Sequence, residues 1–206
     1  MAENVMNESV SVRRGALITL LLAFLVGACG QAGPVEEPPL KGARLGGAFT
    51  LTDQNGRRVT DRSWHGQYRL VYFGYTYCPD VCPVDMRVLG AGLRRFEERD
   101  AAAGAKVQPI FVTVDPARDT QPVLREFVAN FHPRFVGLTG TPEELAAMAR
   151  AYGASYMRRD GATPGSYLMD HTRNAVLYGP AGEPLAIIPY DQGPDGTANE
   201  LARWVR

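Results

Sequence analysis

Two cysteines separated by three residues, Cys78 and Cys82 in Tyr77-Cys-Pro-Asp-Val-Cys-Pro83, are the part of this chain best suited to chemistry. The spacing is C-x3-C, not the C-x2-C of common dithiol oxidoreductases. If the segment around Cys82 is helical, thiols four positions apart lie on one face, one turn apart. A helix N-terminus carries partial positive charge, which favours thiolate over thiol. Two convergent soft donors suit a soft metal such as Cu(I), or reversible disulfide formation. Spacing alone also allows two buried cysteines or a structural disulfide. The flanking prolines and a strand-loop-helix setting count against that plainer reading.

Two thiolates can hold Cu(I) in low coordination, whereas Cu(II) prefers added nitrogen. Three histidines are available. His65 lies in a polar connection and reads as a surface residue. His132, before Pro133 at a helix end, reads as a cap on the last carbonyls. His171 follows the strand Tyr167-Leu-Met-Asp170, and strand-end loops often carry function on a rigid scaffold. Residue types alone leave His171 a candidate, because they do not show that it meets the cysteines. Met169 reads as core. Asp115 and Asp119 could orient a ligand or cap the following helix, and capping is the plainer expectation.

The elements that must position these residues follow from periodicity. Leu70 to Phe73 is an apolar run ending at Gly74, a buried strand that delivers the cysteine loop. Val84 to Glu98 places Met86, Leu89, Leu93 and Phe96 at helical steps, with charged residues on the other side. Gly104 marks the break after it. Upstream, Gly46 to Thr52 and Arg58 to Thr60 flank the turn signal Asp53-Gln-Asn-Gly56, which predicts a hairpin. Trp64 covers the core edge. Val107 to Val114 is a second buried strand, followed by the loop Asp115 to Thr120 and a helix towards Phe131. Phe135 to Thr139 is a short strand. Thr141-Pro-Glu-Glu144 is a capping box that opens a helix to about Tyr152. Four short β-rich stretches follow (155–159, 166–169, 175–178 and 185–188), then a helix from Ala198 to Arg206. This order predicts an α/β fold, a central mixed sheet with helices on both faces and a thioredoxin-like plan. In such sheets sites lie beyond the carboxyl ends of the strands, where the cysteine loop and the loop from Asp115 both fall.

With 206 residues, 45% hydrophobic and 21% charged, the chain supports one folded domain with appendages. Lys and Arg balance Asp and Glu at 22 each, which leaves no field to attract nucleic acid. Three cysteines are too few for a disulfide-built scaffold. Residues 1–28 read as a signal peptide or signal anchor: Arg13 and Arg14 precede the uncharged run Gly15 to Ala28, which is shorter than the roughly 17–25 residues of a membrane span. Val26-Gly-Ala-Cys29 resembles a bacterial lipobox, in which Cys29 would be lipidated. Either form tethers the protein to the bacterial cytoplasmic membrane, facing the periplasm or extracytoplasmic side. Residues 29–44, rich in Gly, Pro and charge, read as a flexible tether. The folded domain is then 45–206.

At these residues the chain resembles the Sco/SenC family of copper-binding proteins that assist assembly of cytochrome c oxidase. The matching segments are GGAFTLTDQNG, YFGYTYCPDVCP, FVTVDPARDT, VGLTGTPEEL and YLMDHT, in family order over about residues 45 to 180. The resemblance implies a thioredoxin-like fold and a copper site, Cu(I) or Cu(II), formed by Cys78, Cys82 and His171, with Asp115 in its surroundings. Arg173-Asn174-Ala175 after the histidine looks like ordinary loop variation. The implied partners are oxidase subunit II and a copper-donor protein, besides the membrane.

Two function classes are therefore expected to compete. One is a copper metallochaperone that serves the copper-A centre of subunit II. The other is a thiol-disulfide oxidoreductase that reduces the cysteines of that subunit, with Cys78 and Cys82 as the reacting pair and no need of His171. A peroxide-reducing thiol enzyme fits less well, since it needs an activated peroxidatic cysteine.

Overall fold

The computed structural model describes residues 36–206. The segment read as a signal or anchor and the start of the tether, Cys29 included, lie outside the described residues. Strands β1 (Thr50–Asp53) and β2 (Arg58–Thr60) form the expected hairpin. Asp53 Oδ1 accepts the N–H of Asn55 at 2.8 Å and of Arg57 at 2.9 Å, and Gly56 turns the chain at φ 82°. Strand β1 starts later than Gly46 because Gly46 and Gly47, at φ 95° and 147°, hold the chain out of β geometry. Leu40, inside the stretch read as a tether, donates its N–H to Leu185 O at 3.0 Å and packs with Leu45 on the domain.

Strand β3 (Tyr68–Gly74) is buried at every position, as a strand covered on both faces must be. It extends beyond the apolar run because Arg69 is accommodated, donating to Asp61 O and lying over the Tyr178 ring. Helix α1 (Val81–Arg99) follows, then α2 (Ala101–Gly104), a short turn where only a break was expected; Asp100 caps it by accepting Ala103 N–H at 2.9 Å. Next come β4 (Val107–Thr113), α3 (Gln121–Ala129), β5 (Val136–Thr139) and α4 (Pro142–Ala151). Thr141 and Glu144 form the expected capping box. The chain ends with β6 (Tyr156–Asp160), β7 (Tyr167–His171), β8 (Ala175–Tyr178), β9 (Pro184–Ile187) and α5 (Gly193–Trp204). Helix α5 begins before Ala198 because Pro194 fits a first helical turn, and Gly196 has space for no side chain: a Cβ there would lie 2.9 Å from Pro189 O.

The main sheet has the order β2-β1-β5-β4-β3-β8-β9, with β3, β4 and β5 parallel to one another and the outer pairs antiparallel. Alternation along the strands divides the core in two. Leu70, Tyr72 and Phe111 face α1, α3 and α5, while Val71, Phe73, Ile110 and Val112 face α4 with Phe49 and Tyr152. Each fully buried Leu or Phe contributes about 1.5–3 kcal/mol, so both faces of the sheet are needed. This is the expected central mixed sheet with helices on both faces. Strands β6 and β7 pair with each other in a separate two-stranded sheet. That hairpin carries His171 at its end.

Candidate metal centre

The cysteine loop leaves β3 at Gly74, beyond the carboxyl end of a parallel strand. Gly74 is closely surrounded: a Cβ would stand 3.1 Å from Cys82 Sγ and 3.0 Å from the Tyr72 and Phe111 rings, so these neighbours would have to give. Helix α1 begins at Val81, so Cys82 lies in its first turn and Cys78 precedes it. Asp80 holds the N-cap position without a side-chain cap bond; the Cys82 N–H donates instead to Cys78 Sγ at 3.4 Å. A sulfur thus takes the place of a capping oxygen, and the two side chains converge although only one belongs to the helix. Cys78 and Cys82 are free thiols, 9% and 0% exposed.

His171 completes the group. Along β7, Tyr167, Met169 and His171 point inward and Leu168 and Asp170 outward, the period of two that a strand imposes. His171 pairs across the hairpin with Tyr156. Its Nε2 lies 3.2 Å from Cys82 Sγ, and its Nδ1 lies 3.0 Å from Thr172 O. A carbonyl only accepts, so Nδ1 carries the proton and Nε2 turns its lone pair to the sulfurs. Thr172 is itself pinned by Ser155, whose carbonyl accepts the Thr172 N–H at 2.9 Å. The Tyr72 and Tyr75 rings meet the imidazole edge-on at centroid distances of 6.3 and 5.9 Å and hold its plane. The ligand atoms of Cys78, Cys82 and His171 all lie within 4.8 Å of one another, so the three could hold one metal ion. An open hollow of about 380 Å³, lined by Ser155, Tyr156, Met157, Asp170, His171 and Thr172, borders the end of β7.

The two sulfurs are electrostatically unequal. The Cys82 thiol donating to Cys78 draws the Cys78 pKa down, against the effect of burial and with help from the N–H groups of Cys82 and Asp80. The same hydrogen bond, together with burial, raises the Cys82 pKa. The pair therefore shares one proton. Two thiolate sulfurs and an imidazole nitrogen are a donor set for a soft or borderline ion such as copper, and a metal must displace that proton.

Carboxylates brace the centre. Asp119, fully buried, does not cap α3, contrary to expectation; it accepts the N–H of Thr76 at 3.0 Å, Thr76 Oγ1 at 2.6 Å and Thr113 Oγ1 at 2.5 Å, tying the cysteine loop to the end of β4. Thr120 is the N-cap residue of that helix. Asp115 accepts Tyr167 Oη at 2.9 Å and pairs with Arg118, whose Nη1 donates to Tyr167 O at 3.1 Å. The near end of β7 is thereby fixed over the loop. Asp85 and Arg173 were missed. Asp85 stands three residues after Cys82 and four before Leu89, a spacing that puts it on the buried face of α1 and marks the position without naming its partner; that partner is Arg173.

The other histidines lie elsewhere. His65 is on the surface, as expected. His132 caps no helix carbonyls through its ring: buried at 3% exposure, it contacts Glu97 Oε2 at 3.2 Å and accepts Arg134 N–H at Nδ1, also at 3.2 Å. Met169 packs against the core, as expected.

Sheet order and site together define a thioredoxin-like α/β domain with a Cys-Cys-His group that could hold a metal ion. The SCO1/SenC family pattern matches residues 37–206, and the chain belongs to that family. It is 42% identical over 159 residues to the protein SenC of Rhodobacter capsulatus, covering 77% of this chain and 70% of that one. To the mitochondrial SCO1 homolog 1 of Arabidopsis thaliana it is 40% identical over 147 residues, 71% of this chain and 43% of the relative, so it spans under half of that protein's length. The structure of Bradyrhizobium japonicum ScoI with copper bound superposes with a TM-score of 0.70 at 36% identity, covering 78% of this chain and 99% of that one.

Proposed function

We propose that this protein is a copper chaperone for cytochrome c oxidase assembly, with Cys78, Cys82 and His171 as ligands and the copper-A centre of oxidase subunit II as destination. The convergence of the three donors within 4.8 Å carries the reading. Copper is cargo here, and its release needs a site that a partner can reach. Cys78 retains some exposure, His171 borders an open hollow, and the apolar Tyr77 and Val84 beside the cysteines are 53% and 48% exposed. Cys78 and Cys82 would supply thiolates for Cu(I), and the Nε2 lone pair would add the nitrogen that Cu(II) prefers. The N-terminal segment, lipidated at Cys29 or kept as a signal anchor, would hold the domain at the extracytoplasmic side of the bacterial membrane, where a copper donor would load it.

Titration of the reduced full-length protein with Cu(II) and, by chelator competition, with Cu(I) tests the reading. One equivalent bound, with a thiolate-to-Cu(II) charge-transfer band that His171→Ala removes, is the expected result. No tight binding of either ion would overturn it.

A second reading draws on the lowered Cys78 pKa and the hydrogen bond that Cys78 shares with Cys82. A thiolate of this pair would attack a disulfide of subunit II. The other cysteine would resolve the mixed disulfide, leaving a Cys78–Cys82 disulfide and two substrate thiols. Turnover that survives His171→Ala would favour this reductase.

A further inference from the structure

We propose that the Asp85–Arg173 ion pair is a latch that sets where His171 stands relative to the two sulfurs, which makes Arg173 a positioning residue for the nitrogen ligand alone. The inference rests on the copper reading of the same site. Its basis is how differently the ligands are held. The sulfurs are fixed by α1 and by Asp119 gripping Thr76. His171 ends a hairpin outside the main sheet, and the chain rejoins that sheet at Ala175, opposite Tyr72. Thr172 is still held to Ser155, so Arg173 and Asn174 form the joint, with Arg173 on its hairpin side.

Arg173 reaches from this joint to the helix that carries Cys82. Its Nε donates to Asp85 Oδ2 at 3.1 Å and its Nη2 to Oδ1 at 2.8 Å, a two-point fork that fixes direction as well as distance. Asp85 is 2% exposed and receives a third bond, from Tyr72 Oη at 2.8 Å. Tyr190 Oη donates to Arg173 O, which pins the backbone of the joint too. The Tyr72 ring stands edge-on to both His171 and Tyr190. Tyr72 therefore touches the latch with its hydroxyl and the ligand with its ring, and the imidazole cannot swing away while the fork is closed.

An open latch frees the nitrogen and leaves the thiolates in place, so the effect must discriminate between oxidation states. Arg173→Met in the full-length protein should weaken Cu(II) by about tenfold, the lower end for lost outer-shell support, and shift or diminish the charge-transfer band. Cu(I) affinity by chelator competition should stay within about threefold, since two thiolates suffice. Arg173→Lys, with charge but no fork, should fall between Met and wild type; it carries the test alone if the Met variant does not fold. Cu(II) affinity and band equal to wild type in both variants would overturn the latch, as would an equal loss of both ions. His171→Ala separates the two ideas: if wild type binds no copper, or His171→Ala leaves Cu(II) binding unchanged, the copper reading fails; if these behave as expected and only the Arg173 variants are silent, the latch alone fails.

Discussion

A buried histidine, His132, and a half-buried one, His171, lie in this domain, and they differ in what is left over after hydrogen bonding. At His132 both ring nitrogens are committed: Nδ1 accepts the Arg134 N–H, so Nε2 carries the proton and donates to Glu97. Arg134 closes the cluster by bonding Glu97, Val107 O and Gly104 O. At His171 only Nδ1 is committed, to Thr172 O, and Nε2 faces two sulfurs. The first cluster is complete and holds α1 against the start of β4. The second keeps the Nε2 lone pair unspent, aimed at the sulfurs. A histidine with both nitrogens satisfied is a structural part, and one with a single nitrogen satisfied among soft donors is a ligand.

The strongest way to break this contrast is at the sulfurs. Cys78→Ser or Cys82→Ser leaves one thiolate, and Cu(I) affinity should fall by on the order of 10³-fold or more. Full affinity in either variant, measured by chelator competition, would contradict the proposed ligand set. Prior oxidation to a Cys78–Cys82 disulfide should abolish loading in the same way until reductant is added.

Exchanging the two histidines for alanine sharpens it. His171→Ala should remove the Cu(II) charge-transfer band and cost little stability, because the side chain is part-exposed and its one donated bond goes to the adjacent residue. His132→Ala should leave copper binding intact but destabilise the fold by about 2–3 kcal/mol, since Glu97 and the Arg134 N–H lose a buried partner. Urea denaturation beside copper titration of both variants checks this. Loss of copper in His132→Ala without unfolding would erase the distinction.

The sequence exposed these two regions to different depths. The cysteine loop was readable because β3 is apolar throughout its centre and the C-x3-C follows at once. The sheet with helices on both faces was readable from strand and helix periods, and the capping box at Thr141 from four adjacent residues. The residues that hold His171 were not readable. Asp85 and Arg173 stand 88 positions apart, and nothing in either neighbourhood announces the other. The helical pattern assigned charges to the solvent side of α1, so a carboxylate next to Met86 passed as surface. Asp119 had a local use available, capping α3, and the fold spent it on Thr76 and Thr113 instead. His171 itself entered the site through family resemblance, because a lone histidine after a strand has no local mark of being a ligand. Pairings across the fold are tertiary facts, and period and capping rules report only what neighbours do.

The smallest expected effect separates the two histidines by protons. Burial holds the His132 pKa below its ordinary value, the Glu97 carboxylate pulls it back up, and Arg134 and Arg94 add to the depression. An unfolded chain takes up this proton near pH 6.5. Between that value and the lower folded one, the unfolded state binds more protons than the native state, so stability falls as pH drops through this window, by up to about 1.4 kcal/mol per pH unit for one group. His132→Gln tests this with little disturbance, because an amide can accept from Arg134 N–H and donate to Glu97 but does not titrate in this range. Urea midpoints of wild type and His132→Gln should differ less at pH 5.5 than at pH 7.5 if wild type is the more stable at neutral pH. In either case the gap must move in the variant's favour on acidification. A gap independent of pH would mean that His132 titrates alike in both states, and its closed hydrogen-bond pattern would then not be what sets it apart from His171.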